Sequence, residues 1–166
     1  MQPSLPPYNH LSYQDTVCIA KHAQTYQVPE LLLHSILVKE NGRTGKCSKN
    51  KDGSKDCGLS QINSKWIIDF NKRYNVTEYA ITNDNCLNIQ ASAYVLRTYF
   101  NIKQDWFYAT MAYNIGPYRW KERPNALKVG DKYAREVFSH WNYFVAYVAK
   151  RNALIAKHGH VIYAKN

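Results

Sequence analysis

The sequence predicts a mainly α, single-domain protein, and three observations carry that expectation. The chain has 166 residues and is 45% apolar, which bounds it to one packed core. Apolar residues recur at helical spacing in successive runs, most of them opened by a capping residue or a proline. Runs of strand period are scarce, and neither an internal repeat nor a flexible linker divides the chain.

The elements follow in order. Residues 1–11 form a lead-in, beginning with the stiff, proline-rich Met1-Gln2-Pro3-Ser4-Leu5-Pro6-Pro7. It has no charged segment followed by an apolar one, and fits a mature chain whose export signal was replaced by a start methionine. Ser12 with Asp15 three residues later starts a helix, which carries Val17, Cys18 and Ala20 to about Tyr26. Pro29 suits a first helical position and opens a helix ending near Glu40. Residues 41–57 are rich in Gly, Lys, Asn and Ser and predict a long loop or small β-hairpin, with Asp52-Gly53 as the turn signal. Ser64 caps a helix holding Trp66, Ile67 and Phe70. Asp84 opens a longer one through Cys86, Ile89, Ala93, Leu96 and Phe100. Asp105 begins another, which ends in Ala112-Tyr113-Asn114-Ile115-Gly116. Residues 117–130 are irregular. Asp131 caps a last long helix through Val137, Trp141, Phe144, Val148 and Leu154. The folded domain is expected over 12–156 and a tail over 157–166, with His158-Gly159-His160 solvated.

Lys plus Arg is 22 and Asp plus Glu is 12, a formal charge of +10. That balance favours an anionic partner: nucleic acid, anionic lipid or the acidic polymers of a bacterial envelope. The positive residues (Lys21, Lys39, Lys49, Lys65, Arg97, Lys121, Arg135, Lys150) form no long run, which disfavours a basic tail. No nucleic-acid recognition module is present. No stretch approaches the ~20 apolar residues of a membrane span. Fourteen tyrosines and four tryptophans supply core area and, at a groove, flat faces for sugar rings.

Cys18, Cys47, Cys57 and Cys86 are an even set open to three pairings. Cys47 and Cys57 bracket a short polar hairpin-like loop and are expected to pair, which leaves Cys18 with Cys86. In the loop-entropy model the short bridge contributes roughly 3 kcal/mol and the long one roughly 4. Four reduced, buried thiols are the alternative. Bridges would place the chain in an oxidising compartment, periplasmic or secreted. No histidine spacing or C-x-x-C supports a metal site. Asn75-Val76-Thr77 matches a glycosylation sequon and is taken as chance.

Glu40 stands out. On a helix, Leu33, Ile36, Leu37 and Glu40 share one face, so a carboxylate occupies an apolar stripe. Loss of hydration there raises its pKa and lets it hold a proton near neutral pH, as a general acid must. Periodicity alone leaves a second reading, in which the helix ends at Glu40 and the side chain turns to water. Gly58-Leu59-Ser60-Gln61-Ile62-Asn63 follows eighteen positions later. Gln61 and Asn114 bring side-chain amides that could meet a ligand. A loop hydrogen bond and a helix C-cap are the plain structural uses of the same side chains.

Val38-Lys39-Glu40-Asn41-Gly42 resembles the catalytic-glutamate segment of lytic transglycosylases. Gly58-Leu59-Ser60-Gln61-Ile62-Asn63 is similar to their Gly-Leu-Met-Gln-Ile motif, Ala112-Tyr113-Asn114-Ile115-Gly116 to their Ala-x-Asn-x-Gly motif, and Tyr133 with Val137 to their closing tyrosine-valine motif. The order and approximate spacing agree over residues 12 to 150. Asn41 stands where the family usually has Ser, and Ser60 where it has Met. The insertion before Gly58 looks most like the small members that accompany conjugation, secretion and pilus machines.

The resemblance implies a lysozyme-like fold with a small hairpin or loop after the catalytic helix. It implies cleavage of the β-1,4 bond between N-acetylmuramic acid and N-acetylglucosamine in peptidoglycan, with no cofactor. Glu40 would protonate the leaving oxygen, then act as base as a 1,6-anhydro ring closes. Tyr133 would fix the carboxyl, and Gln61, Ser60, Asn114, Tyr113 and Asn41 would meet the glycan. No second carboxylate stands out: Asp52 and Asp56 lie on the polar loop, and Asp69 and Glu78 carry no motif. The implied partners are peptidoglycan strands and components of an envelope-spanning secretion or conjugation machine. A lysozyme-like hydrolase of the same bond and a non-catalytic peptidoglycan-binding module are the rival readings.

Overall fold

The computed structural model describes residues 2–118 and 120–158. Its elements are α1 (Tyr13–Tyr26), α2 (Glu30–Glu40), β1 (Cys47–Lys49), β2 (Lys55–Cys57), β3 (Ile62–Asn63), α3 (Ser64–Tyr74), α4 (Glu78–Asn83), α5 (Asn85–Lys103), α6 (Trp106–Ile115), a 3₁₀ turn (Trp120–Glu122) and α7 (Pro124–His158). The fold is mainly α with one small antiparallel sheet, in the order β1-β2-β3. Cys47 pairs with Cys57 and Lys49 with Lys55 across the hairpin, and Cys57 pairs with Ile62 on the other side.

Local chemistry sets most boundaries. Ser12 and Asp15 form a capping box at α1: Oγ of Ser12 accepts from the Asp15 N–H, and the Asp15 carboxylate accepts from the Ser12 N–H at 2.8 Å. Asp84 accepts from the Leu87 N–H at α5, and Asp105 from the Phe107 and Tyr108 N–H groups at α6. Asn75 closes α3 in the left-handed conformation and Thr77 caps α4, so the sequon residues have structural uses.

Three boundaries differ from expectation. Asn63, not Ser64, caps α3, accepting from Lys65 N, while Ser64 Oγ accepts from Lys55 N at 3.0 Å. The six-residue α4 lies in a stretch too short to show a period. The last helix begins at Pro124, seven residues before Asp131. Pro124 fits a first helical position, and the helix runs through Gly130, where a Cβ would meet Ile115 Cδ1 at 2.7 Å. The glycine lets α7 close on the end of α6. The expected tail at 157 is helical to His158, and residues 159–166 lie outside the described residues.

The core is continuous. α5 packs on α1 and α6, and α7 on α6 and α2. Ile19, Leu32, Leu33, Ile36, Leu37, Ile89, Leu96 and Val137 are fully enclosed. α2 is buried on all sides from Leu32 to Val38, more than the single stripe its spacing predicts. Disulfides join Cys18 to Cys86, between α1 and α5, and Cys47 to Cys57, across the hairpin. No described helix is long and apolar enough to cross a membrane.

Candidate active site

α2 stops at Glu40 because Asn41 turns left-handed (φ 49°) and its N–H caps the Leu37 carbonyl at 3.1 Å. The Glu40 side chain does not turn out to bulk water. It reaches α7, where the Tyr133 hydroxyl donates to Oε1. Tyr133 is 6% exposed. Burial pushes the Glu40 carboxyl from 4.5 up to about 7. The Tyr133 bond opposes this by favouring the ionised form, the Asp56 charge adds to it, and the Lys39 charge opposes it. Burial, reinforced by the Glu40 charge, holds the Tyr133 phenol well above its ordinary value, so it remains a donor. Lys39 pairs with Glu136 and lies over the Tyr133 ring, 5.9 Å from its centroid.

Glu40 opens into a cleft of about 630 Å³. The hairpin and the 58–63 segment form one wall, with Asp52, Asp56, Gln61 and Asn63. The end of α6 forms the other, with Tyr113, Asn114 and Gly116. Gly116 (φ 77°), not Asn114, terminates α6, its N–H on the Ala112 carbonyl at 2.8 Å, which leaves Asn114 exposed on the cleft wall. Gln61 is left-handed (φ 51°), and its Nε2 donates to Gly58 O at 2.9 Å. The Tyr113 hydroxyl donates to Ser60 O at 2.9 Å and shares a second hydrogen bond of 2.9 Å with Ser92 Oγ. Burial holds the Tyr113 phenol protonated at any ordinary pH.

Two expected glycan contacts fall elsewhere. Ser60 is fully buried and faces away from the cleft, its Oγ donating to Asn88 Oδ1 at 2.6 Å. Asn41 is exposed and is used as the cap of α2, outside the cleft lining. The Ser60 hydroxyl is taken by Asn88 and Asn41 serves α2 through its backbone N–H, so neither position lines the cleft.

Three cleft residues carried no signal in the spacing. Trp66 and Tyr99 form an aromatic wall, joined by a 3.0 Å hydrogen bond from Trp66 Nε1 to the Tyr99 hydroxyl, with Trp66 stacked on Phe70 at 5.7 Å. Asp56 is the second carboxylate that the polar loop concealed. Asn50 and Asn63 each donate to it at 2.8 Å, and its charge is felt at Glu40. The only signal was its place next to Cys57-Gly58, which pins the hairpin beside the motif. Asp52, at the hairpin tip, takes Lys65 at 2.8 Å and is held below the ordinary carboxylate range by it. Cys47, Cys57 and Glu78 lie close together, but the two sulfurs are bonded to each other and offer no thiolate to a metal.

This geometry supplies one carboxyl that can be neutral near pH 7, a fixed hydroxyl that orients it, amides on both walls and a half-buried indole at Trp66. Residues 17–149 match the model of the transglycosylase SLT domain. The chain is 30% identical to protein IpgF of Shigella flexneri over 136 residues, 78% of this chain and 80% of that protein. It is 26% identical to invasion protein IagB of Salmonella typhimurium over 125 residues, 75% and 74% of the two chains. It is 32% identical to the X polypeptide of Escherichia coli over 126 residues, 75% and 72%. With the domain match spanning most of its length, and with Glu40, Tyr133 and the cleft on one scaffold, the chain belongs to the transglycosylase SLT domain family.

Proposed function

We propose that the protein cleaves the β-1,4 bond between N-acetylmuramic acid and N-acetylglucosamine in peptidoglycan without water, leaving a 1,6-anhydro end. The observation that carries the reading is the Glu40 carboxyl: enclosed, raised to about 7, oriented by Tyr133 and open to the cleft. Glu40 protonates the leaving glycosidic oxygen as the bond breaks. The substrate's own N-acetyl group stabilises the positive anomeric carbon. The Glu40 carboxylate then takes the proton from the muramic acid's primary hydroxyl, whose oxygen closes the ring. Gln61, Asn114 and Tyr113 meet the glycan, and the half-buried Trp66 offers an aromatic surface backed by Tyr99.

Asp56 favours a second reading. A carboxylate beside the acid can serve as the base that activates water in an inverting hydrolase. Mass analysis of digested peptidoglycan separates the two: hydrolysis adds a water to each new end, and ring closure does not. Release of neither product by folded protein would leave a wall-binding module. The two disulfides and the likeness to an invasion protein support a periplasmic or secreted location, where the chain would open the wall for an envelope-spanning machine.

A further inference from the structure

Asn88 does not line the cleft. It sits on α5 and is 1% exposed, yet both its amide donors and its oxygen are engaged. Nδ2 donates to Cys57 O and to Ile81 O, each at 3.0 Å. Oδ1 accepts from the Ser60 N–H at 2.7 Å and from Ser60 Oγ at 2.6 Å. One side chain thereby ties the end of β2, the helix α4 and the 58–61 turn to α5.

The turn it holds is not a relaxed one. Gly58 (φ 72°) and Gln61 (φ 51°) are both left-handed, and for glutamine that conformation costs roughly 1–2 kcal/mol. Such a conformation persists where the surroundings over-determine it. A Cβ on Gly58 would lie 2.8 Å from Asn88 Cγ, so the amide and the glycine are fitted face to face. On its far side the turn abuts the cap of α2. A Cβ on Gly42 would lie 2.5 Å from Leu59 O and 2.8 Å from Leu59 C. Backbone meets backbone there, two residues from Glu40, with no side chain to absorb a displacement.

We propose that Asn88 is a positioning residue for the acid: by clamping the 58–61 turn against the Asn41-Gly42 cap, it sets how closely protein encloses the Glu40 carboxyl. Its catalytic meaning rests on the reading of Glu40 as general acid. The groups facing Glu40 are Tyr133 from α7, Tyr113 from α6, Asp56 from the hairpin and Lys39 from α2 itself. Of these, Asp56 belongs to the strand that Asn88 holds at Cys57, and Tyr113 donates to the carbonyl of the residue that Asn88 holds at Ser60. When the clamp is released, water reaches the carboxyl from the hairpin side, and hydration favours the ionised form.

The test is ¹³C NMR titration of the Glu40 carboxyl in wild type and Asn88→Ala, with kcat and KM on peptidoglycan beside it. The Glu40 midpoint is expected to fall by roughly one unit or more towards its ordinary value. A kcat lower by roughly 10–100-fold, with KM changed far less, is expected from the displaced acid. If Asn88→Ala does not fold, Asn88→Ser carries the same test, since its hydroxyl holds one bond of the four and gives a smaller shift in the same direction. A folded variant with an unmoved Glu40 midpoint overturns the proposal. A wild type that leaves peptidoglycan intact while the midpoint still falls in the variant removes the proposed reaction and keeps Asn88 as the residue that encloses Glu40.

Discussion

Replacing Glu40 with glutamine should abolish cleavage and raise stability, and the second effect should depend on pH. The amide keeps the size of the side chain but cannot give up or take a proton. General acid–base contributions run ~10²–10⁴-fold, and here one residue fills both roles, so the loss should reach or exceed that range. The stability effect follows from the shift from 4.5 to about 7. A carboxyl whose folded value is raised binds its proton more tightly in the native state. Its contribution is fully present below pH 4.5 and is lost as pH rises through 7. Between pH 5 and pH 8 the wild type loses about 2.5 kcal/mol at this one group, and the glutamine variant loses none of it. For a chain of this length that corresponds to a Tm gap roughly 5–10 °C wider at pH 8 than at pH 5. Thermal unfolding of both proteins at the two pH values measures it. An equal gap at both would show that the carboxyl is not desolvated, and anhydro ends released by the variant at wild-type rate would refute its role as acid.

Tyr133→Phe removes a hydrogen bond that favours the ionised Glu40; the alkaline limb of the rate–pH profile should move to higher pH, with kcat falling about tenfold, less than for Glu40→Gln. His34 is buried against Phe144, its Nε2 has no hydrogen-bond partner among the described residues, and burial lowers it to about 4. Its contribution is present above pH 6.5 and lost as pH falls towards 4, so His34→Phe should flatten acid unfolding over that window by about 3 kcal/mol; an unchanged acid limb in denaturant titrations would place the instability elsewhere. Wall clearing should weaken as salt rises, because a scattered +10 charge acts through screened attraction; a flat rate from low to high ionic strength would assign the charge another use.

Helices with caps and long apolar periods were legible because their signals are local: Ser12 and Asp15, Asp84 and Asp105 all cap where spacing places them. Glu40 was legible because a carboxylate broke an apolar face, although α2 is buried all round and the side chain escapes the core only by turning to Tyr133. What was not legible depends on partners distant in sequence. Nothing near Ser60 announces that its hydroxyl is taken by Asn88, twenty-eight residues on. Nothing in the polar loop announces that Asp56, rather than its neighbours, is the carboxylate whose charge acts on Glu40. The early start of α7 was hidden by Gly130, a poor helix former tolerated because Ile115 presses against the position of its missing Cβ.

The hairpin tip has a consequence for how such an enzyme can be remodelled. The Lys51-Asp52-Gly53 tip is exposed, Lys51 and Asp52 line the cleft, and a Cβ on Gly53 would meet nothing within 4 Å. Below it, the Cys47–Cys57 bridge and the Asn50–Asp56–Asn63 network fix the base. Residues added at Gly53 would extend this anchored arm into solvent, at the cost of the turn's own bonds of Asn50 with Ser54 and Gly53, while the disulfide and the Asp56 network hold the root. A longer arm would roof the cleft and demand that a strand thread in from one end, while a shorter one would leave a trough accepting the middle of a chain. On the proposed reading, choice between chain ends and interiors would be adjustable at a turn remote from Glu40 and from the core.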